Sequence, residues 1–337
     1  KLLNIKFGSI IINKIDLVDN EWLEMIELDI KDFVQDSFLS NTPIHRVSTL
    51  KNQGIEELKT YLLNVKDSLK NKNKYDKGIF SLYVDRIFNS KGFGQVVTGT
   101  IASGNIKTGD KLRLLPTNKE VKIRGIQTHN KNTTKLSIGD RAALNIHSND
   151  KLNITRGSHL STLGYFENVE TSIVKLHILP KFKRGVKNND RLRIYIGTQE
   201  VMARVFFPSD KKILTGRNVY AMLKFEKMII APFYDNFILR MYSPLITIGG
   251  GKIIDTNISG KWKENCDYLL KIEQTNNIDE IVELIIANRK EFPFSYNSLS
   301  KHLNLSIDKL SEILSRIATL QIINDKWIIV DAQLKNI

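Results

Sequence analysis

Polar and apolar positions fall into three textures along the 337 residues. Up to residue 70, apolar runs alternate with helical spacing. "SIIINKID" (9–16) reads as a buried strand ending in a polar loop. Trp22, Met25, Ile26, Ile30, Phe33, Val34 and Phe38 then recur at the interval of an amphipathic helix over 20–38. "PIHRVS" (43–48) predicts a second strand and "GIEELKTYLLNV" (54–65) a second helix. Strand, helix, strand, helix implies a parallel sheet. "KDSLKNKNKYDKG" (66–78), rich in Lys and Asn, reads as a linker.

Residues 78–256 change character. Short runs of Val, Ile, Phe, Tyr and Thr are cut by turn signals such as "SKGFG", "SGNIKTGD", "SIGD" and "FKRGVKNND". That rhythm predicts antiparallel strands closed into two barrels that divide near "FENVETS" (166–172). From 265 onward the pattern is helical again. "IDEIVELIIANRKEF", "YNSLSKHLNL" and "SIDKLSEILSRIATLQ" each show helical spacing. In the last of these, Ser306 is the N-cap, and Ile307, Leu310, Ile313, Leu314 and Ile317 share one face. "IINDKWIIV" then predicts a hairpin. Three helices and a hairpin describe a winged helix.

Charge sharpens the division. Residues 1–76 hold 11 Lys/Arg against 12 Asp/Glu and residues 261–337 hold 10 against 11, so residues 77–260 hold 29 against 13. The basic excess therefore sits in the barrel region, as a polyanion-binding surface requires. The near-neutral winged helix is expected to dock or brace rather than grip a nucleic-acid backbone. Cys266 is the only cysteine, which excludes a disulfide framework and a cysteine-based zinc site and fits a reducing cytosol. The six histidines form no HxxxH or HxH pair. No run of about 18 apolar residues occurs to span a membrane, so no membrane partner is expected.

Two short motifs carry chemistry. "NKID" places Asn13, Lys14 and Asp16 directly after a buried strand. A carboxylate at Asp16 can accept two hydrogen bonds from the N1 and N2 donors of guanine, which adenine cannot supply. "VSTL" puts Ser48, Thr49 and Leu50 after the next strand, where backbone amides would meet the guanine O6. Neither GxxxxGK[ST] nor DxxG occurs in the sequence, so these residues are expected to read a base without holding phosphates or hydrolysing GTP. "GFGQVVTG" (92–99) runs into a strand rather than a helix, which excludes a dinucleotide fingerprint. "TIGGG" (247–251) reads as a bend between strands.

With these motifs in place, "VVTGTIASGNIKTGDKLRLLP" (96–116) resembles the second domain of translational GTPases of the elongation factor Tu superfamily. "IGTQEVMARVFF" and "FILRMYSPLITIGGG", followed by a winged helix, resemble its SelB-type selenocysteine-specific branch. The resemblance implies a multidomain α/β, all-β and α chain. Its expected parts are the C-terminal end of a P-loop-type G domain with a linker (1–76), two antiparallel β-barrels (77–169 and 170–258), and a linker with a first winged helix (259–337). It implies a cytoplasmic elongation factor that uses GTP/GDP with Mg2+ in the intact protein and delivers selenocysteinyl-tRNA to the ribosome at recoded UGA codons. Further C-terminal winged helices would bind the selenoprotein mRNA hairpin.

The resemblance also implies a cationic pocket for the selenocysteinyl group. "VDRIF" supplies Asp85 and Arg86 to it, and "ITRGS" supplies Arg156. The arginines would face the selenolate while Asp85 orients one guanidinium. An initiation-factor-like carrier of another tRNA, and a winged-helix regulator, are the alternatives. The second of these would need a basic recognition helix, whereas "SIDKLSEILSRIATLQ" balances Lys309 and Arg316 against Asp308 and Glu312.

Overall fold

The computed structural model describes residues 2, 3, 5, 7–69, 76–90, 94–208, 216, 218–256, 266–275, 277–287, 294–323 and 327–330. The chain divides into two compact units, residues 1–74 and 75–337.

In the first unit, β1 (Ile10–Asn13) and β2 (Ile44–Val47) pair in parallel, with Ile10 opposite Ile44 and Asn13 opposite Val47. Helix α1 (Asn20–Val34) follows β1, and its first turn is capped by Asp19, whose carboxylate accepts from the Trp22 amide at 2.8 Å. The spacing predicted a helix to residue 38. It stops at Val34, whose carbonyl accepts instead from the Ser37 hydroxyl at 2.7 Å and the Ser37 amide at 2.8 Å. Helix α2 (Ile55–Leu69) runs past the expected boundary at Lys66. "KDSL" holds no Gly, Pro or cap to end a helix, so polarity alone was a poor stop signal there. The rest of that linker up to residue 75 lies outside the described residues.

The second unit holds two barrels and a helical module. The first barrel is built from β3 (Ser81–Tyr83), β4 (Arg86–Ser90), β5 (Gly94–Ser103), β6 (Asn105–Lys107), β7 (Lys111–Leu115), β8 (Lys119–Thr128), β9 (Lys131–Thr133), β10 (Lys135–Ser137), β11 (Arg141–His147) and β12 (His159–Ser161). Six of them close in the order β11-β5-β3-β12-β7-β8 and back to β11. Inward residues alternate along the longer strands such as β5 and β11, and Leu82, Val97, Leu114, Ile123 and Leu144 are fully buried. The stretch read as "GFGQVVTG" is indeed a strand from Gly94. Gly99 lets β5 approach β3, because a Cβ there would overlap the Tyr83 carbonyl. Residues 91–93 of the expected hairpin lie outside the described set.

The second barrel closes β13 (Val169–Ile178), β14 (Arg191–Ile196), β15 (Gln199–Phe206), β16 (Asn218–Ile229), β17 (Asn236–Met241) and β18 (Thr247–Asp255) in the order β13-β16-β15-β14-β17-β18. Here one expectation fails. "TIGGG" is not a bend between strands but the first half of β18. A Cβ on Gly249 or Gly251 would overlap the carbonyl oxygens of His177 or Lys175 on β13. The glycines serve close strand contact, not a change of direction.

The helical module comprises α3 (Cys266–Gln274), α4 (Ile278–Ala287), β19 (Phe294–Ser295), α5 (Tyr296–Leu303), α6 (Ile307–Leu314), β20 (Leu320–Ile323) and β21 (Trp327–Val330). Strands β19, β21 and β20 form a small sheet, which completes the winged-helix pattern. The turn at 324–326 and the linker at 257–265 lie outside the described residues. Ser306 does cap α6, accepting from the Lys309 amide at 3.3 Å, but the helix ends at Leu314 and leaves Ile307 exposed.

This module shares its core with the second barrel: Ile173, Tyr220, Phe233 and Ile254 pack in one cluster with Ile281, Ile285, Leu299 and Leu310. Asn304, in the left-handed region at the end of α5, fastens the junction. Its amide donates to the Tyr165 carbonyl at 2.7 Å, and its oxygen accepts from the Phe233 amide at 2.9 Å. No helix among the described residues is long and apolar enough to cross a membrane.

Candidate functional site

The loop after β1 brings together the residues expected to read guanine. Parallel pairing of β1 with β2 puts the ends of both strands side by side, so Asn13 lies opposite Val47 and Ser48 follows directly. Lys14 turns the chain through the left-handed region at φ 64°, and its amide donates to the Asn13 side-chain oxygen at 2.7 Å. Ile15–Leu17 then form a single 3-10 turn that leaves Asp16 half-buried.

The Ser48 hydroxyl, fully buried, donates to Asp16 Oδ1 at 2.5 Å. Ser48 is itself locked by paired backbone bonds with Gln53, both 3.0 Å, and its oxygen accepts from the Lys51 amide at 3.0 Å. Gly54 closes this turn at φ 67°, where a Cβ would overlap the Arg46 carbonyl. Asp16, Leu17, Val18, Asp19 and Trp22 line an open cleft of about 590 Å³ beside the carboxylate. Thr49 and Leu50 are at the tip of the turn, with Leu50 exposed.

A charge cluster forms at the end of β3. The Asp85 amide donates to the Thr98 carbonyl at 2.8 Å, and its Oδ1 accepts from the Thr98 hydroxyl at 2.6 Å. Its Oδ2 accepts from Arg141 Nη1. Burial pushes the Asp85 carboxyl up. The hydrogen bonds from Arg141 and Thr98 and the charges of Arg141 and Arg86 outweigh it and hold the group below the usual carboxylate range. Arg86 opens β4 opposite Thr98 and is exposed.

Arg156 sits in the loop before β12. That loop is tied to Val84 by two backbone bonds, Gly157 amide to Val84 carbonyl at 2.9 Å and Val84 amide to Ser158 carbonyl at 2.8 Å. The backbone thus brings Arg156 within two residues of the Val84–Asp85 strand end, with its side chain exposed. The guanidinium that Asp85 orients is therefore that of Arg141, which sequence reading missed. Arg141 is 56 residues away and reaches Asp85 only because β11 pairs with β5, with Arg141 opposite Thr100. The signal available was "GDRAALNI", a charged residue opening an alternating strand. Among the described residues no three His, Cys, Asp or Glu side chains group as metal ligands.

The family model for Elongation factor Tu domain 2 matches residues 94–161, from β5 through β12. The chain is 30% identical over 254 residues to the selenocysteine-specific elongation factor of Desulfomicrobium baculatum, an alignment covering 75% of this chain and 40% of that protein. It is 31% identical over 272 residues to the protein of the same name from Methanocaldococcus jannaschii, covering 75% and 58%. The chain thus spans about half the length of the curated relatives it matches. Among solved structures, a bacterial selenocysteine-specific elongation factor, EF-Sec, aligns with TM-score 0.68 over 100% of this chain and 64% of its own, at 21% identity, a likeness of fold. The elongation factor SelB of Methanococcus maripaludis, in its apo form, aligns with TM-score 0.63 over 73% of this chain and 58% of its own, at 25% identity.

Proposed function

For a chain that is a relative of the selenocysteine-specific elongation factors, with a second domain of the elongation factor Tu type, we propose a role in GTP-dependent delivery of selenocysteinyl-tRNA to the ribosome. The relationship is carried by the residues matched above. The observation that carries the specific reading is the cluster of Asp85, Arg86 and Arg141 at the strand end that opens the first barrel.

Selenocysteine and serine can occupy the same tRNA and differ at one atom. A selenol is largely ionised at neutral pH, whereas a serine hydroxyl is neutral. Two guanidinium groups beside one carboxylate leave a net positive charge, which attracts a selenolate and gains little from a hydroxyl. Asp85 has a double role in this reading. It subtracts one charge, and it fixes the Arg141 guanidinium so that its remaining donors point in a set direction. Arg156 stands at the rim and adds positive potential. The remaining cations of the barrels would meet tRNA phosphates, where contacts position without specifying.

In the same reading the first unit supplies base recognition. Asp16 has one oxygen engaged by Ser48, and its other oxygen and the open cleft beside it suit the paired donors of guanine. Asn13 and Lys14 brace the loop, and the Ser48–Leu50 turn offers backbone amides to the base carbonyl. These residues fit the base of GTP or GDP. The sequence contains neither phosphate-binding motif, so the reading for this chain is confined to the base, and GTP hydrolysis with Mg2+ belongs to the intact protein. An mRNA hairpin as partner is carried by the family reading alone.

The test is equilibrium binding to the same tRNA charged with selenocysteine and with serine, in GTP at one salt concentration, using the protein as its gene encodes it. A preference for selenocysteine of about tenfold or more is expected, falling toward unity in Arg86→Ala and Arg141→Ala and less in Arg156→Ala. Equal affinities in the unaltered protein would remove the pocket and favour a carrier of another tRNA.

A further inference from the structure

Strand β5 carries a hydroxyl to which the pocket reading gives no role. Along "QVVTGTI" (95–101) Val97, Gly99 and Ile101 are buried, so Thr98 and Thr100 stand on the outer face of the barrel. Thr98 is half-buried and lies directly opposite Arg86 on β4 and Ala143 on β11. Ala143 presents a single methyl group, so no bulky side chain at that opposing position covers Thr98. The Thr98 hydroxyl donates to Asp85 Oδ1 at 2.6 Å, while Asp85 Oδ2 accepts from Arg141 Nη1. Arg141 Nη2 lies 3.5 Å from the same hydroxyl oxygen. Each of the three side chains therefore faces the other two.

Two properties separate this hydroxyl from that of an ordinary strand threonine. The strands do not need it to stay together. The Asp85 amide already donates to the Thr98 carbonyl at 2.8 Å, and Arg86 pairs with Thr98 in the β4–β5 ladder. What the side-chain bond adds is control of rotation. A carboxylate held through one oxygen can still turn about its Cβ–Cγ bond. With Oδ1 taken by Thr98, Oδ2 has one direction left, and Arg141 occupies it. Packing does not call for the hydroxyl either, because valine has nearly the same shape and is equally at home in a strand.

We infer that Thr98 is a positioning residue for recognition of the aminoacyl group. Through Asp85 it sets the direction in which the Arg141 guanidinium meets an anionic side chain, and it does not itself touch that side chain. The inference rests on the selenocysteinyl reading of this cluster and adds the group that turns a loose ion pair into a fixed one. A guanidinium already fixed loses less freedom on binding, and the gain goes to the ligand that carries a charge. Removing the hydroxyl therefore weakens selenocysteine, whereas serine, which brings no charge, is unaffected.

The experiment measures binding of the same tRNA charged with selenocysteine and with serine, in GTP at one salt concentration, to the protein as its gene encodes it. The variants are Thr98→Val, Thr98→Ala and Thr98→Ser, then Arg141→Ala alone and combined with Thr98→Val. Thr100→Val, at the next outward position of β5, is the control, and thermal melts check that every variant is folded. Thr98→Val is expected to weaken the selenocysteinyl form about tenfold and the seryl form by less than about twofold. Thr98→Ala gives the same comparison if the valine variant does not fold, and Thr98→Ser is expected to keep the preference. In the Arg141→Ala background the further loss from Thr98→Val is expected to vanish, as action through Arg141 requires. A folded Thr98→Val or Thr98→Ala that keeps the full preference overturns the inference and leaves the pocket reading standing. Equal loss for both charged forms overturns it in favour of a structural role, as does the same loss in Thr100→Val or an undiminished loss without Arg141. No preference in the unaltered protein overturns the pocket reading, and this inference with it.

Discussion

Residues 1–74 and residues 75–337 both carry clear apolar periodicity, yet they bury it to different depths. In α1, Leu23 and Val34 are 4% and 8% exposed, whereas Trp22, Met25, Leu28 and Phe33 are 52%, 52%, 62% and 86% exposed. In the winged helix, α4 buries Ile281, Val282, Ile285 and Ile286 almost completely against neighbours that include the second barrel. The difference lies in what each sequence pattern finds opposite it. A two-stranded parallel sheet offers one narrow face to its helices, while a closed barrel offers a continuous convex surface as well as an interior. Periodicity reports that a face can be covered; the fold decides whether it is.

The sharpest way to break this contrast is at the tightest contact of the second unit. Gly251 lies opposite Leu176 on β13 and Phe237 on β17, and any Cβ there meets the Lys175 carbonyl. Gly251→Ala must push neighbouring strands of a closed barrel apart, and the loss of stability is expected to reach about 4 kcal/mol or more, seen as a large drop in the urea midpoint or a failure to fold. A variant with an unchanged midpoint would show that the barrel tolerates separation, and the depth of packing would no longer distinguish the two units.

That glycine also marks the limit of what the sequence made legible. Turn signals and short β-rich runs were enough to predict two antiparallel barrels, because strand alternation and turn chemistry are local properties. Helical spacing was enough for the winged helix. What stayed hidden depends on register. "TIGGG" reads as a break when each residue is judged alone, and becomes a strand only once β13 is placed against it. Arg141 gains its partner Asp85 by the same route, through the pairing of β11 with β5. The grouping at the end of β1 was legible because Asn13 and Asp16 are close in sequence and Ser48 directly follows the adjacent strand. The Ser48–Asp16 bond itself, which orients the carboxylate, needs the parallel pairing to exist. Helix ends were the least legible feature, since Val34 and Leu314 are stopped by serines that the apolar pattern ignores.

A second prediction uses a buried base. His159 on β12 is fully buried, its Nε2 lies 2.8 Å from the Ser81 hydroxyl, and its ring packs 4.7 Å from Tyr83 and 4.8 Å from Phe166. Burial, aided by the nearby charge of Lys77, pushes its pKa down to about 3. An unfolded histidine titrates near 6.5. The folded state therefore refuses a proton that the unfolded state accepts. The contribution of His159 to stability is complete above about pH 6.5 and is lost as pH falls from there toward 3. Between about pH 6.5 and 4.5 the loss from this group is expected to be roughly 2 to 3 kcal/mol. Urea midpoints across that window should fall in the unaltered chain and stay flatter in His159→Gln. A flat profile in the unaltered chain would mean that water reaches this histidine, and that the interior of the second unit is less closed than its packing indicates.

The smallest effects test the first unit from within. Leu23 and Phe33 are both apolar residues of α1, and the larger side chain is the exposed one. If burial decides, Leu23→Ala costs about 2 to 3 kcal/mol and Phe33→Ala less than about 0.5 kcal/mol, measured by thermal or urea unfolding of the first unit's helix signal. The reverse order would mean that Phe33 is covered in solution by another region of the protein or by a second molecule. In that case the exposed stripe of α1 is an interface, and the two units differ in where their covering surface comes from rather than in how much apolar area they bury. Comparing the two substitutions at several protein concentrations separates these sources. A Phe33→Ala cost that grows with concentration belongs to a second molecule, and one that does not change belongs to the chain itself.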